Sequence, residues 1–289
     1  ETDRVPLHWR APLGGADGVI VPSTQNRDAM AALGSSAPVH IVPHIRRHAW
    51  NEFSPDEIAT ARREFGIEAG RTVFYTINAW DPRKDLPSLL RAFVHAFSHD
   101  DPVALLVKTG AVGFGAPPHY LREPVAPLAR AVIDTATSEA GHAPAPISLL
   151  PYDLSGRGVD LVHRLGDVYV SLSHGEGWGL GAFDAATLGR PVLRTGWGGH
   201  RDFFGDAWPG ALPWRMTGVP VFPPQQPAYW RSQRWASVDV ATAVRAMRAF
   251  VADPAPHRRA ADLIAERIAN DYAEPLIARR FIDALRADR

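Results

Sequence analysis

Cysteine is missing from this sequence, and its absence removes disulfides, thiolate metal sites and thiol nucleophiles together. It fits a cytoplasmic protein, the location expected here. Net charge is missing too, because 31 Lys and Arg balance 31 Asp and Glu. A balanced chain has no general attraction for nucleic acid or for an anionic membrane, so any anion site must be local. No apolar run reaches the length of a membrane span. No basic n-region leads into an apolar h-region, so no signal peptide is expected. Repeats and low-complexity tracts are also lacking. The chain opens at Glu1 in a polar segment without Met, and an upstream portion is expected.

What is there is length and alternation. The 289 residues suffice for one large or two ordinary domains with a well-buried core. A short apolar strand is predicted over 18–23, ending in a Ser23 cap, with a helix over 25–33. A strand over 39–42 is closed by Pro43, and residues 43–51 form a mixed, basic hinge. Ser54 as cap, Pro55 at the first helical position and Asp56 and Glu57 in the first turn open a helix. Strands follow over 72–78, 103–108, 147–150, 167–171 and 191–194. Between them fall helices over 86–97, 125–139, 158–165 and 182–188, with a Pro- and Gly-rich loop over 110–118. Residues 205–236, rich in Pro and Trp, read as irregular. Helices over 238–251, 256–270 and 274–286 complete the chain. Such alternation predicts an α/β fold, a parallel sheet with helices on both faces.

The stretch from Ser171 to Asp184 carries the most chemistry. It joins a strand to a helix through alternating glycines, with Glu176 inside the turn and Asp184 eight positions later. Glycines let backbone N–H groups approach an anion, and the helix N-terminus adds partial positive charge. Glu176 repels phosphate, but it makes sense if something rich in hydroxyls sits beside the phosphate, as in a sugar nucleotide. A ligand-free tight connection is the bland alternative. Gly177, Gly179 and Ala182 also match a dinucleotide fingerprint. That reading needs an acid at the end of the next strand, which instead runs Leu193-Arg194-Thr195. No Gly-x-Ser-x-Gly nucleophile elbow is present.

Arg83 and Lys84 follow the first strand of the regular sheet, where a diphosphate needs cations. Two solvated charges are the alternative, but cations oppose the dipole at a helix start, which favours function. Lys108 ends the next strand and either faces the same crevice or snorkels to solvent. Thr195 to His200 is a second glycine loop, including Gly198, at the same sheet edge. Trp178 and Trp197 either flank a base or sugar ring or pack in the core. His40, His44 and His48 recur every four residues. Pro43 breaks any helix that would align them and no carboxylate completes the set, so no metal site is expected.

Together these residues resemble the nucleotide-sugar-binding half of GT-B glycosyltransferases, family 4. The family carries a carboxylate, a Gly–aromatic–Gly turn and a second carboxylate eight positions on, here Glu176, Gly177-Trp178-Gly179-Leu180 and Asp184. The second carboxylate is usually Glu in the family, one methylene longer than Asp184. The family's basic pair is matched by Arg83 and Lys84. Many members have an Arg five positions before the Lys, where this chain has Ala79, which leaves that role to Arg83 or weakens phosphate binding.

The resemblance implies two facing Rossmann-like domains, the N-terminal one only partly present. Residues 1–45 would be its remnant, 46–270 the nucleotide-sugar-binding domain and 271–289 a helix crossing back. It implies retaining, metal-independent transfer of a sugar from a nucleoside diphosphate, with UDP-, GDP- or dTDP-sugar as substrate and no further cofactor. Glu176, Arg83 and Lys84 would be catalytic. Gly177, Trp178, Gly179, Leu180 and Asp184 would hold the donor, joined by Lys108 and Gly198 from their strand-end positions. The acceptor would be a sugar, a lipid-linked molecule or another small molecule, with membrane association, if any, peripheral and through the N-terminal domain. A non-catalytic donor-binding module and a sugar-nucleotide epimerase are the competing readings.

Overall fold

Short apolar runs, each followed by an amphipathic segment that carries the chain back to the same edge, build a parallel sheet. The computed structural model describes residues 1–34, 36–115, 121–220 and 229–287. After a 3-10 turn at Leu7–Trp9 come α1 (Arg10–Gly14), β1 (Val19–Val21), α2 (Thr24–Ala31) and β2 (Val39–Ile41). Strands β1 and β2 pair in parallel as a small separate sheet. Residues 43–53 then run without regular structure to α3 (Pro55–Glu64), where Ser54 and Glu57 form a reciprocal capping box.

The body follows with β3 (Thr72–Ile77), a 3-10 turn at Pro82–Lys84, α4 (Leu86–Ala96), β4 (Val103–Thr109), β5 (Val112–Phe114), β6 (Arg122–Pro124) and α5 (Val125–Ala140). It continues through β7 (Ile147–Pro151), α6 (Gly156–Leu165), β8 (Val168–Ser171), α7 (Leu180–Thr187), β9 (Val192–Thr195) and α8 (Arg201–Phe204). The chain ends with β10 (Ala211–Leu212), β11 (Arg215–Gly218), β12 (Arg234–Ser237), α9 (Val240–Ala252), α10 (Ala255–Asp271) and α11 (Glu274–Ala287).

Six strands form one sheet in the order β10-β9-β8-β3-β4-β7, every pair parallel. Side chains alternate along each strand, so the sheet feeds two cores. Phe74 and Leu105 face α4, α5 and α9 on one side. Tyr75, Leu106 and Tyr169 face α6, α7 and α10 on the other. Both faces are covered, which is why the strands read as continuous apolar runs. The chain winds outward from β3 through β4 to β7, crosses back to β8 on the other side of β3, and winds outward again through β9 to β10. The gap between β3 and β8 is therefore the switch point, where ligands bind outside the carboxyl ends of the strands.

The expected α/β architecture is present, with differences at its margins. Residues 110–118 were expected as a loop, yet Val112–Phe114 pairs antiparallel with Arg122–Pro124; residues 116–118 lie outside the described residues. Residues 205–236 hold β10, which joins the main sheet, and an antiparallel pair β11–β12; residues 221–228 are outside the described residues. These strands are two to four residues long, too short to show a period. Among the described residues, no helix is long and apolar enough to cross a membrane.

Candidate functional site

The turn after β8 is shaped by backbone contact. Gly179 sits at φ 87°, a conformation that favours glycine, and passes directly into α7, whose first turn has no side-chain cap. Those N–H groups therefore remain a ready anion site. Gly199 packs on the turn from the second glycine loop. A Cβ there would collide with the Gly177 carbonyl and the Ser23 hydroxyl. The Gly199 N–H donates to the Glu176 carbonyl at 2.8 Å, which fixes the carboxylate's backbone.

The turn after β3 brings the cations. Asp81 caps the Pro82–Lys84 turn by accepting from the Arg83 N–H at 2.8 Å. Asp85 follows in the left-handed region (φ 48°, ψ 43°) and caps α4 through the Ser88 N–H. The two loops are tied together, since the His174 N–H donates to the Arg83 carbonyl at 2.7 Å and the Ser173 hydroxyl donates there at 3.2 Å.

Glu176 is the centre of the charge cluster. Lys84 Nζ lies 2.6 and 2.8 Å from its two carboxylate oxygens. Arg83 Nη1 lies 3.4 Å from Oε2 and donates to the Gly175 carbonyl at 2.6 Å, while its Nε is 3.0 Å from the Glu1 carboxylate. Burial pushes the Glu176 carboxyl up, but Lys84 and Arg83 outweigh it and hold the group below its ordinary value. Glu176 is thus an ionised acceptor at neutral pH although it is only 7% exposed.

Asp184, in the second turn of α7, lies at the far end. Burial raises its carboxyl to about 6, with Arg47 opposing and Asp160 adding to the rise. Arg47 Nη1 is 3.8 Å from Asp184. Its Nη2 is 2.7 Å from Asp160, a fully buried carboxylate that also accepts from the backbone and side chain of Asn51.

Lys84, Glu176, residues 177–180 and Asp184 line one crevice of about 480 Å³, with Asn78, Ala79 and His44 in its wall. Arg83 joins it through Glu176. A cavity of about 510 Å³ on the Trp80, Asp81 and Asp85 side contains neither Glu176 nor Asp184, so the charge chemistry sits in the smaller space.

Two expected residues, Lys108 and Gly198, stand apart. Lys108 does not line the crevice; its Nζ donates to the Thr109 carbonyl at 2.9 Å, and burial lowers its pKa with Asp153 opposing. Gly198 lies behind Glu176, next to the His200 ring. Trp178 borders the crevice, but its indole packs with Phe183, Phe203 and Tyr272 at 5.0–5.4 Å and is 3% exposed. Trp197 is buried against Trp214. Both indoles are core side chains, held by aromatic neighbours. Arg47 and Asp160 were not anticipated, whereas His44 entered the sequence reading as a rejected metal ligand and Asn78 as the end of the strand before Arg83 and Lys84. A carboxylate on the apolar face of α6 was the one available signal, at Asp160. Among the described residues, no group of three or more His, Cys, Asp or Glu side chains is arranged to hold a metal ion.

No protein-family model matches the chain. Over 187 residues it is 28% identical to a D-inositol 3-phosphate glycosyltransferase of Rhodococcus erythropolis, a match covering 64% of this chain and 39% of the relative. The corresponding protein of Rhodococcus jostii is 29% identical over 188 residues, 64% of this chain and 38% of the relative. The matched stretch thus spans well under half the length of these relatives. Among solved structures, HepE of Anabaena, in complex with UDP and glucose, superposes with a TM-score of 0.66 at 13% identity, covering 94% of this chain and 64% of HepE. Sucrose-phosphate synthase of Thermosynechococcus elongatus superposes at 0.63 with 19% identity, covering 96% and 60%. The fold is that of the GT-B glycosyltransferases.

Proposed function

We propose that the crevice binds a nucleoside-diphosphate sugar and that the protein transfers the sugar, with retention and without a metal ion, as a family 4 enzyme. The observation that carries this is the Lys84–Glu176–Arg83 cluster facing the uncapped start of α7 at the sheet's switch point. Departure of a diphosphate develops negative charge on its oxygens. Lys84, Arg83 and the N–H groups at Gly179 and Leu180 supply fixed positive charge for it. Glu176, held ionised, accepts hydrogen bonds from sugar hydroxyls. Asp184 accepts from the ribose at the other end of the crevice. The relatives' printed activity supports glycosyl transfer, and the UDP and glucose in HepE support a nucleotide-sugar donor. We read residues 1–45 as the remnant of an acceptor-side domain and α11 as the helix that returns to it.

Glu176→Gln is expected to lower transfer from UDP-, GDP- or dTDP-sugar by about 10²-fold or more while nucleotide binding, measured by calorimetry, persists. Unchanged turnover in that variant would remove Glu176 from the mechanism. A second reading, a donor-binding module without turnover, draws on Arg47 holding the carboxylate assigned to the ribose. Tight nucleotide binding with no product from any of the three donors would favour it.

A further inference from the structure

Arg194 heads the largest fully buried side chains of the described residues, at 1% exposure. It lies on β9, where Val192 belongs to the core under α7 and α10 and Leu193 to the opposite core. Alternation returns Arg194 to the Val192 face, a position suited to an apolar residue. Its guanidinium lies 4.9 Å from the centre of the Phe204 ring, and its Nη1 donates to the Thr195 carbonyl at 3.0 Å. Its buried Nε has no hydrogen-bond partner. Among the described residues, no carboxylate lies within ion-pair distance of it. The nearby carboxylate, Asp206, is taken by Arg201 at 2.6 and 2.9 Å. Burial weakens Arg194's hold on its proton, but a guanidinium stays charged at neutral pH. An enclosed charge without a counter-ion is costly unless something pairs it.

Beside it opens a cavity of about 200 Å³, lined by Arg194, Arg201, Asp206, Gly196 and Trp214. We propose that this cavity binds a small oxyanion, specifically a phosphoryl group. Arg194 supplies the buried positive charge. Arg201 turns from Asp206 to give a second fork, matching the planar, two-pronged recognition that guanidinium groups offer phosphate. Two arginines against one carboxylate leave one positive charge for the ligand. The cavity shares no lining residue with the donor crevice. The loop that leaves β9 after Arg194 carries Gly199, whose N–H holds the Glu176 carbonyl, so occupancy is communicated to the Glu176 turn through four residues of backbone. The inference stands whether or not the crevice transfers sugar.

The test is thermal unfolding of the full chain against inorganic phosphate, and separately against glycerol phosphate, at constant ionic strength. The wild type is expected to gain about 3 °C at tenfold the dissociation constant. The gain should persist in Lys84→Met/Glu176→Gln, which disables the crevice, and vanish in Arg194→Met. Arg201→Gln should need several-fold more phosphate for the same gain, and it serves alone if Arg194→Met does not fold. A larger response to glycerol phosphate would identify a phosphorylated metabolite, and a larger one to inorganic phosphate the free ion; either supports the site. A response lost in the crevice variant but kept in the arginine variants, or no response to either compound, overturns it.

Discussion

At the residue scale, removing Lys84 leaves Glu176 as a carboxylate with little access to water, the longer contact from Arg83 as its one charged partner and the Ser173 hydroxyl as a neutral one. Breaking a buried pair from one side costs far more than the pair's own net contribution. Lys84→Met should therefore lose roughly 3 kcal/mol in urea denaturation, and adding Glu176→Gln should restore most of it. A loss under about 1 kcal/mol would mean that water reaches the pair. Asp184 behaves in the opposite sense. Its folded-state value of about 6 lies above the unfolded one, so the folded state takes up its proton first as pH falls. The ionised form is a liability at neutral pH that is relieved between pH 6 and 4. Asp184→Asn should stabilise by about 2 kcal/mol at pH 7.5, with the difference fading by pH 4. Equal stabilisation at both pH values would show that Asp184 is not desolvated. Glu176 was legible in the sequence because a carboxylate between glycines at a strand end has little structural reason to be there, Lys84 because a cation at a helix start opposes the dipole, and Asp184 through its eight-residue spacing from Glu176. Arg47 and Asp160 were not, because their contact spans the fold and neither sits in a glycine turn.

Elements place these residues, and their ends were the most readable features. Ser54, Pro55 and Glu57 spell a helix start locally, and the capping box forms as written. Asp85 does two tasks that sequence inspection separates poorly. It caps α4 and takes the left-handed backbone that turns Arg83 and Lys84 towards Glu176. Its carboxyl is raised by burial, with His174 opposing at 3.6 Å. Asp85→Ala loses the cap and keeps an unfavourable φ, a cost of roughly 2 kcal/mol, whereas Asp85→Asn retains both functions and should stay within about 0.5 kcal/mol. Denaturation midpoints of the two variants check this, and equal loss in both would shift the weight to the His174 contact. The small strands β5, β6, β10, β11 and β12 were invisible for a different reason. Their stability comes from neighbours across the chain, as when Ala211 finds Arg194, and a run of two to four residues carries no pattern of its own.

Over the whole molecule, two polar clasps join the N-terminal segment to the main sheet's helices. Thr24 donates from its backbone and hydroxyl to Asp202 on α8, and Arg47 and Asn51 converge on Asp160 of α6. Residues 43–53 contribute few backbone pairs of their own, so their order depends on the second clasp. Asp160→Ala should speed amide exchange at Asn51 and its neighbours by at least tenfold while the β3 and β4 amides keep their protection. Exchange rising equally throughout would indicate global destabilisation instead. The parallel sheet and its order of helices were readable from alternation alone, since each βα unit repeats the same apolar period. How the two sheets meet was not, because it rests on polar contacts between residues far apart in the chain, such as Thr24 with Asp202 and Arg47 with Asp160.

The two margins of the six-stranded sheet differ from its interior. On one side β10 is only two residues long, and beside it the Trp208 indole donates to the Val192 carbonyl at the start of β9. On the other, β7 is bracketed by Pro144, Pro146 and Pro151, which have no N–H to offer. Neither border presents a long ladder of free donors to a passing chain. The apolar strands that make the interior so stable would be hazardous if they lay outermost, where they could template intermolecular pairing. Borders this short and proline-flanked leave an incoming strand little to pair with, and they keep the apolar interior strands of this sheet out of another chain's reach.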